Sequence, residues 1–153
     1  MNFEAIKNHG DLQTVSREAI WQDFEELAAY IFSQNDFQVQ IRKVKRLKKK
    51  RRQYDVIAKK GSRTILAECK KWSGNRHRLS ALRAAVRKHW ERSEFYRTLT
   101  DEAVFPIIVT LLEEEIQLYE GMPVVPICKL NSFLNEEDAG LCQFEILAPD
   151  PTI

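Results

Sequence analysis

The chain has 153 residues, of which 44% are hydrophobic and 30% charged, and its formal net charge is +2. That length suits one domain spanning residues 1–153, with a core over residues 14–136. No apolar run approaches the ~20 residues of a membrane helix and the opening MNFEAIKNHGD lacks a signal-peptide layout, so a cytoplasmic protein with no membrane partner is expected.

Residues 1–13 are polar and mixed and define no element. Thr14 or Ser16 can cap a helix whose first turn Glu18 supports. Ile20, Phe24, Leu27, Ala28 and Ile31 then recur at helical spacing and predict one buried stripe. Glu25 and Glu26 lie off it, where the plain expectation is a solvated carboxylate. From Phe37 to Lys45 the sequence alternates as a strand does, with Phe37, Val39 and Ile41 on one side.

Between Arg42 and Arg52, nine of eleven residues are Lys or Arg: Arg42, Lys43, Lys45, Arg46, Lys48, Lys49, Lys50, Arg51 and Arg52. This run predicts a hairpin arm joining the first strand to the next. Like-charge crowding predicts a tip unstable as packed structure and mobile without a counter-ion. A generic surface or nuclear-localisation role is the bland alternative. Phosphate contact is favoured, because the run leads straight into acidic residues.

The next stretch, Gln53 to Trp72 (QYDVIAKKGSRTILAECKKW), reads as two short strands joined by a tight turn at Gly61-Ser62. Alternation puts Glu68 and Lys70 on one face and Cys69 on the other. Pairing the strands across the turn can bring Asp55 to that same face. Two carboxylates and an ammonium would then converge at a sheet edge, a poor core and a good seat for a hard cation beside a phosphate. By itself Glu-x-Lys on a strand is usually a solvated face or a surface ion pair.

Residues 73–78 (SGNRHR) form a polar loop, and residues 79–97 read as a second helix with Leu79, Leu82, Val86 and Trp90 inward. Arg76, Arg83 and Arg87 align on another side, either as solvated charges or as a stripe tracking a DNA backbone. Ala103–Leu112 (AVFPIIVTLL) is an apolar run suited to a strand buried on both faces. A short helix is expected over Glu113–Glu120, ending at Gly121. A buried strand over Val124–Cys128, a short helix over Lys129–Glu136 and an edge strand over Leu141–Leu147 follow, and Asp150-Pro151 ends the ordered chain. This rhythm favours an α/β fold, a mixed sheet flanked by helices.

The net charge hides an asymmetry. Residues 1–100 carry 23 Lys/Arg against 11 Asp/Glu, whereas residues 101–153 carry one Lys against 11 acids. One face is therefore suited to a polyanion, although an acidic tail also serves solubility. Cys69, Cys128 and Cys142 have no CxxC spacing and read as buried thiols in a reducing compartment. His9, His77 and His89 lack ligand spacing, and no serine elbow or glycine-rich phosphate loop is present. Trp21, Trp72 and Trp90 read as core or rim packing.

Asp55 followed twelve residues later by Glu68-Cys69-Lys70 resembles the D…(D/E)xK signature of the restriction-endonuclease-like nuclease superfamily. The helix and strand WQDFEELAAYIFSQNDFQVQ are similar to the opening of its Mrr-type and archaeal Holliday-junction-resolvase-like members, with Phe24-Glu25 and Phe37-Gln38-Val39 in the family's places. Asn35-Asp36 stand where a glycine is usual, and the run before Asp55 is rich in Lys and Arg instead of Gly and Asp. The resemblance extends over residues 20–135.

It implies a restriction-endonuclease-like core and a metal-dependent DNA endonuclease of the restriction or repair and recombination type. Asp55, Glu68 and the Cys69 carbonyl would hold one or two Mg²⁺, with Mn²⁺ as a substitute, and Glu25 would help directly or through water. Lys70 would stabilise charge on the phosphate oxygens, since a base role needs depression from the ~10.4 of a free lysine. The helix after the ExK strand would lend a polar residue, with Arg83, Arg87 and Lys88 as candidates. The substrate would be duplex or branched DNA, RNA being a weaker option, and a homodimer is compatible with the resemblance. The rival reading is a catalytically silent nucleic-acid-binding or assembly module of the same fold.

Overall fold

Three runs of apolar and β-branched residues lay down the middle of one sheet, and a computed structural model describes residues 23–71, 78–111 and 115–135 of the chain. Strand β1 (Gln38–Leu47) pairs antiparallel with β2 (Lys50–Lys60), which pairs antiparallel with β3 (Arg63–Lys70). Next to β3 lies β4 (Phe105–Thr110), parallel to it and buried along its whole length. Strands β5 (Gln117–Tyr119) and β6 (Met122–Pro126) complete the sheet in the order β1-β2-β3-β4-β6-β5. Among the described residues the result is an α/β fold with a mixed six-stranded sheet and three helices against it.

Side-chain alternation divides the core between the two faces of the sheet. On one face, α1 (Phe24–Gln34) and α3 (Ile127–Asn135) pack against Val56, Ala58, Ile65, Ala67, Ile107 and Val109. On the other lies α2 (Arg78–Thr100), a helix of 23 residues. Its Leu82, Ala85 and Val86 meet Ile108 and Val124, and its Tyr96 meets Tyr54, Ile57 and Leu66. The β2–β3 hairpin closes through two residues, Gly61 and Ser62, with Gly61 at φ 60°, a conformation that glycine adopts without steric cost. Among the described residues no helix is long and apolar enough to cross a membrane.

Several sequence expectations need correction. The helix expected over Glu113–Glu120 is not formed at its end: Gln117–Tyr119 is β5, paired with β6. Glu120 (φ 49°) and Gly121 (φ 80°) form a two-residue hairpin loop of the kind that matches strand twist, so Gly121 serves a β-turn and caps no helix. The strand expected over Val124–Cys128 ends at Pro126, and Ile127 and Cys128 already belong to α3. Leu79, expected inward, is 55% exposed, while Leu82 and Val86 are buried and Trp90 half-buried.

The arm is a paired hairpin to its tip. Its ladder runs from Lys43↔Tyr54 to Leu47↔Lys50, closing on Lys48 and Lys49. Thr14, Ser16, Ile20, Trp21, Trp72, Arg76, His77, Cys142 and the strand expected over Leu141–Leu147 lie outside the described residues.

Candidate active site

The site lies where β2 leaves β3. Their ladder begins at Lys60↔Arg63 and ends at Val56↔Ala67. The next pair in that register would be Asp55 and Glu68, and there the strands part. From that point β3 continues against β4, pairing Glu68 with Ile108 and Lys70 with Thr110, while β2 follows β1 into the arm. Two carboxylates therefore sit at a fork, where the sheet opens without either strand ending.

The opening has a local cause in β2. Tyr54 packs in the cluster on the α2 side, whereas Val56 packs on the α1 side. Residues two apart on a regular strand share a face, so the strand turns over at Asp55. Arg42, the residue opposite Asp55 in the β1–β2 register, has φ 53°, which breaks the neighbouring strand at the same level. Asp55 Oδ2 then accepts a hydrogen bond from the Cys69 N–H at 2.8 Å, bridging the gap between the strands.

Glu68 is buried on the α2 side, only 6% exposed. Its Oε2 accepts from Arg92 Nη1 at 3.2 Å, and its Oε1 lies 3.4 Å from Lys70 Nζ. A buried carboxylate needs such partners, because an unpaired one would lose its hydration without return. Lys70 shares the face of Glu68 and Cys69 is buried on the opposite side, as alternation predicts.

Beneath Glu68 lies His89, buried on α2. Its Nε2 is 2.7 Å from the Leu66 carbonyl, which can only accept, so Nε2 carries the proton. Burial pushes the His89 pKa down to about 4, so the ring is neutral near pH 7 and Nδ1 presents a lone pair. That lone pair has no hydrogen-bond partner among the described residues and faces Glu68 Oε2 at 4.0 Å.

The carboxylates of the fork feel one another. Burial, then the charge of Glu68 and more weakly that of Glu25, raises the Asp55 pKa to about 6, against the opposing bond from Cys69 N–H. Glu25, in the first turn of α1, thus faces the site electrostatically, and Arg42 Nη2 holds it at 3.5 Å. Glu26 is 3.8 Å from the same guanidinium. Among the described residues no three His, Cys, Asp or Glu side chains are close enough to cage an ion.

The donor set nonetheless fits a hard cation of the Mg²⁺ kind, which takes one or two carboxylates and keeps several waters. The charge of Glu68 raises the cost of ionising Asp55, and the acceptor of His89 faces an acceptor. Positive charge relieves both conditions.

The basic residues separate into two groups. Arg83 donates to the Tyr119 hydroxyl and Arg87 lies 3.8 Å from Glu120, both at the β5–β6 turn, and Lys88 is exposed beside them on α2. The α2 side chains that reach Glu68 are Arg92, which no sequence expectation named, and His89, expected only as a histidine without ligand spacing. A signal for them existed. Leu82, Val86, His89, Ser93 and Tyr96 form one buried stripe at helical spacing, so polar residues at 89 and 93 interrupt a core face.

On the arm, Arg52 makes bidentate hydrogen bonds to Glu91, its Nη2 2.7 Å from Oε1 and its Nε 2.9 Å from Oε2. Its guanidinium also lies 5.1 Å from the Phe95 ring centre. Lys43, Lys48, Lys49, Lys50, Arg46 and Arg51 are exposed and Lys45 half-buried.

Residues 16–101 match the family model of the Mrr catalytic domain, described as a restriction endonuclease. The chain is also 31% identical over 127 residues to a protein of Archaeoglobus fulgidus described as uncharacterized, covering 83% of this chain and 98% of that relative.

Proposed function

From the premise that the chain belongs to the Mrr-type restriction endonuclease family, we propose that it is a metal-dependent DNA endonuclease that hydrolyses phosphodiester bonds at the fork. The observation that carries this reading is the divergence of β2 and β3, which sets buried Glu68 beside Asp55, with Lys70 on the same face as Glu68. Asp55, Glu68 and the Cys69 carbonyl would hold Mg²⁺, or Mn²⁺ in its place, with Glu25 assisting directly or through water. The ion, when bound, would supply Lewis acidity and neutralise charge on the scissile phosphate.

The chain's own residues do the rest. The Cys69 N–H fixes one Asp55 oxygen, leaving the other free to face the site. Lys70, one-third exposed, can move from Glu68 to a phosphate oxygen and stabilise charge as it builds in the transition state. Arg92 keeps Glu68 partnered and aimed before substrate arrives. Arm cations contact phosphates and orient the duplex without reading sequence. A catalytically silent module would have little need for a buried carboxyl whose ionisation is opposed by a second carboxylate beside it.

The experiment is cleavage of supercoiled, linear and branched DNA, and of RNA, by the purified chain with Mg²⁺, Mn²⁺ or EDTA. Nicking or linearisation that requires the metal supports the reading. Tight DNA binding with no cleavage under any metal would favour the silent module.

A further inference from the structure

The arm is built as a ribbon, and cations occupy both of its faces. Directly opposed residues of an antiparallel pair share a face. Lys45↔Arg52 and Leu47↔Lys50 therefore lie on the side of Tyr54 and α2, while Arg46↔Arg51 lies on the other side. Lys48 and Lys49 form the tip. An arm resting on a single phosphate backbone would need charge on one face only. Charge on both faces suits a slot with phosphates along each wall.

Two further features point the same way. Lys48 sits at φ 56° in a two-residue turn, where Gly, Asn or Asp would be relaxed, so the tip keeps a cation against backbone preference. The root of the arm is fixed by the Arg52–Glu91 bonds and the Phe95 ring, which gives the ribbon a set direction from the fork. The six steps from Arg42 to Lys48 span about 20 Å at ~3.3 Å each. That exceeds the ~8.5 Å depth of the major groove of B-form DNA, whose ~12 Å width admits a two-stranded ribbon.

We propose that the β1–β2 ribbon enters the major groove of B-form duplex DNA beside the scissile phosphate. The deep, narrow major groove of A-form RNA does not admit such a ribbon. This inference rests on the nuclease reading and names the groove that the arm occupies. Within the groove, Arg46, Arg51 and the tip lysines are placed to contact phosphates on either wall.

The test measures binding of the full-length chain in EDTA, which prevents cleavage, to a duplex two helical turns long. A second duplex carries glucosylated 5-hydroxymethylcytosine at every cytosine, which fills the major groove. The expected result is a loss of about tenfold or more for the wild type on the filled duplex, because the glucose occupies the space that the ribbon would fill. A variant with Lys48, Lys49, Lys50 and Arg51 changed to Ser should bind both duplexes weakly and nearly equally. A minor-groove ligand such as distamycin should leave wild-type affinity unchanged.

Equal wild-type affinity for the two duplexes, an equal loss in wild type and variant, or displacement by distamycin would overturn the proposal. So would tighter binding to single strands or to an RNA duplex. A wild type that binds no nucleic acid at all would instead overturn the nuclease reading itself.

Discussion

Strand β2 is two different materials joined at Asp55. Its inner half, Val56 to Ala58, is buried on both faces and has a neighbour on each side. Its outer half, from Lys50 to Gln53, has only β1 beside it and is mostly exposed. In the inner region, burial sets the chemistry: Asp55 titrates near 6 because desolvation and Glu68 both oppose its charge. In the outer region, cations act through number and reach, and salt screens them. One strand thus separates a site whose strength lies in one buried, perturbed carboxyl from a surface whose strength lies in the sum of many.

The largest effects fall on the inner half. Asp55→Ala and Glu68→Ala should each lower metal-dependent cleavage by on the order of 10³-fold or more, because each removes an anionic donor from the fork. Circular dichroism should show the fold retained. Undiminished cleavage by Asp55→Ala would remove the fork from the mechanism.

Lys70→Ala comes next, with a drop in turnover of about 10²–10³-fold, the scale for losing one donor to a developing oxyanion, and only a slight loss of DNA affinity. Equal losses of affinity and turnover would make Lys70 a plain phosphate contact.

The outer half should respond to salt. With several phosphates neutralised, the logarithm of affinity falls against that of salt by about 0.9 per contact on duplex DNA. Changing Lys48, Lys49, Lys50, Arg51 and Arg52 to Ser should flatten this slope and weaken binding to all sequences alike. The measurement is a titration series on an Asp55→Ala background. Parallel lines for the two proteins would show that the arm does not touch DNA.

The same division explains what could be read from the sequence. Alternation in β3 is local, so the shared face of Glu68 and Lys70 was legible, and the wholly apolar core of AVFPIIVTLL identified β4 as a central strand. The fork depends on where a ladder stops and on Arg42 adopting a left-handed conformation, neither of which a motif encodes. Arg92 and His89 were missed because they matter only once α2 lies across β3, 24 and 21 positions along the chain from Glu68. On the arm, like-charge crowding predicted an unpacked tip. The counter-ion Glu91, 39 residues downstream, was invisible to local reasoning. Over Gln117–Tyr119 an acid-rich context suggested helix, and pairing with β6 overrode it.

The smallest effect is also the sharpest probe of the fork, because it needs neither DNA nor metal. A carboxyl whose folded pKa of about 6 lies above its unfolded ~3.9 favours folding fully only below the unfolded value, and that contribution is lost as pH rises through 6. Near pH 7 the metal-free protein should therefore bear roughly 2–3 kcal/mol of destabilisation from ionised Asp55. Asp55→Asn removes the charge while its amide oxygen can still accept the Cys69 N–H. The variant should be more stable than the wild type above pH 6, with the gap closing between pH 6 and 4. His89 has the opposite sign, its depressed pKa costing stability as pH falls from 6.5 towards 4. Because the Asp55 charge holds that pKa up, Asp55→Asn lowers it further, and the His89 contribution cancels only in part. Thermal melts of both proteins in EDTA across this range measure the gap directly. Adding Mg²⁺ at pH 7.5 should then stabilise the wild type and leave Asp55→Asn nearly unmoved, narrowing the gap from the other side. A pH-independent gap would mean that Asp55 does not carry the charge strain assigned to it, and a magnesium shift equal in both proteins would place the ion elsewhere.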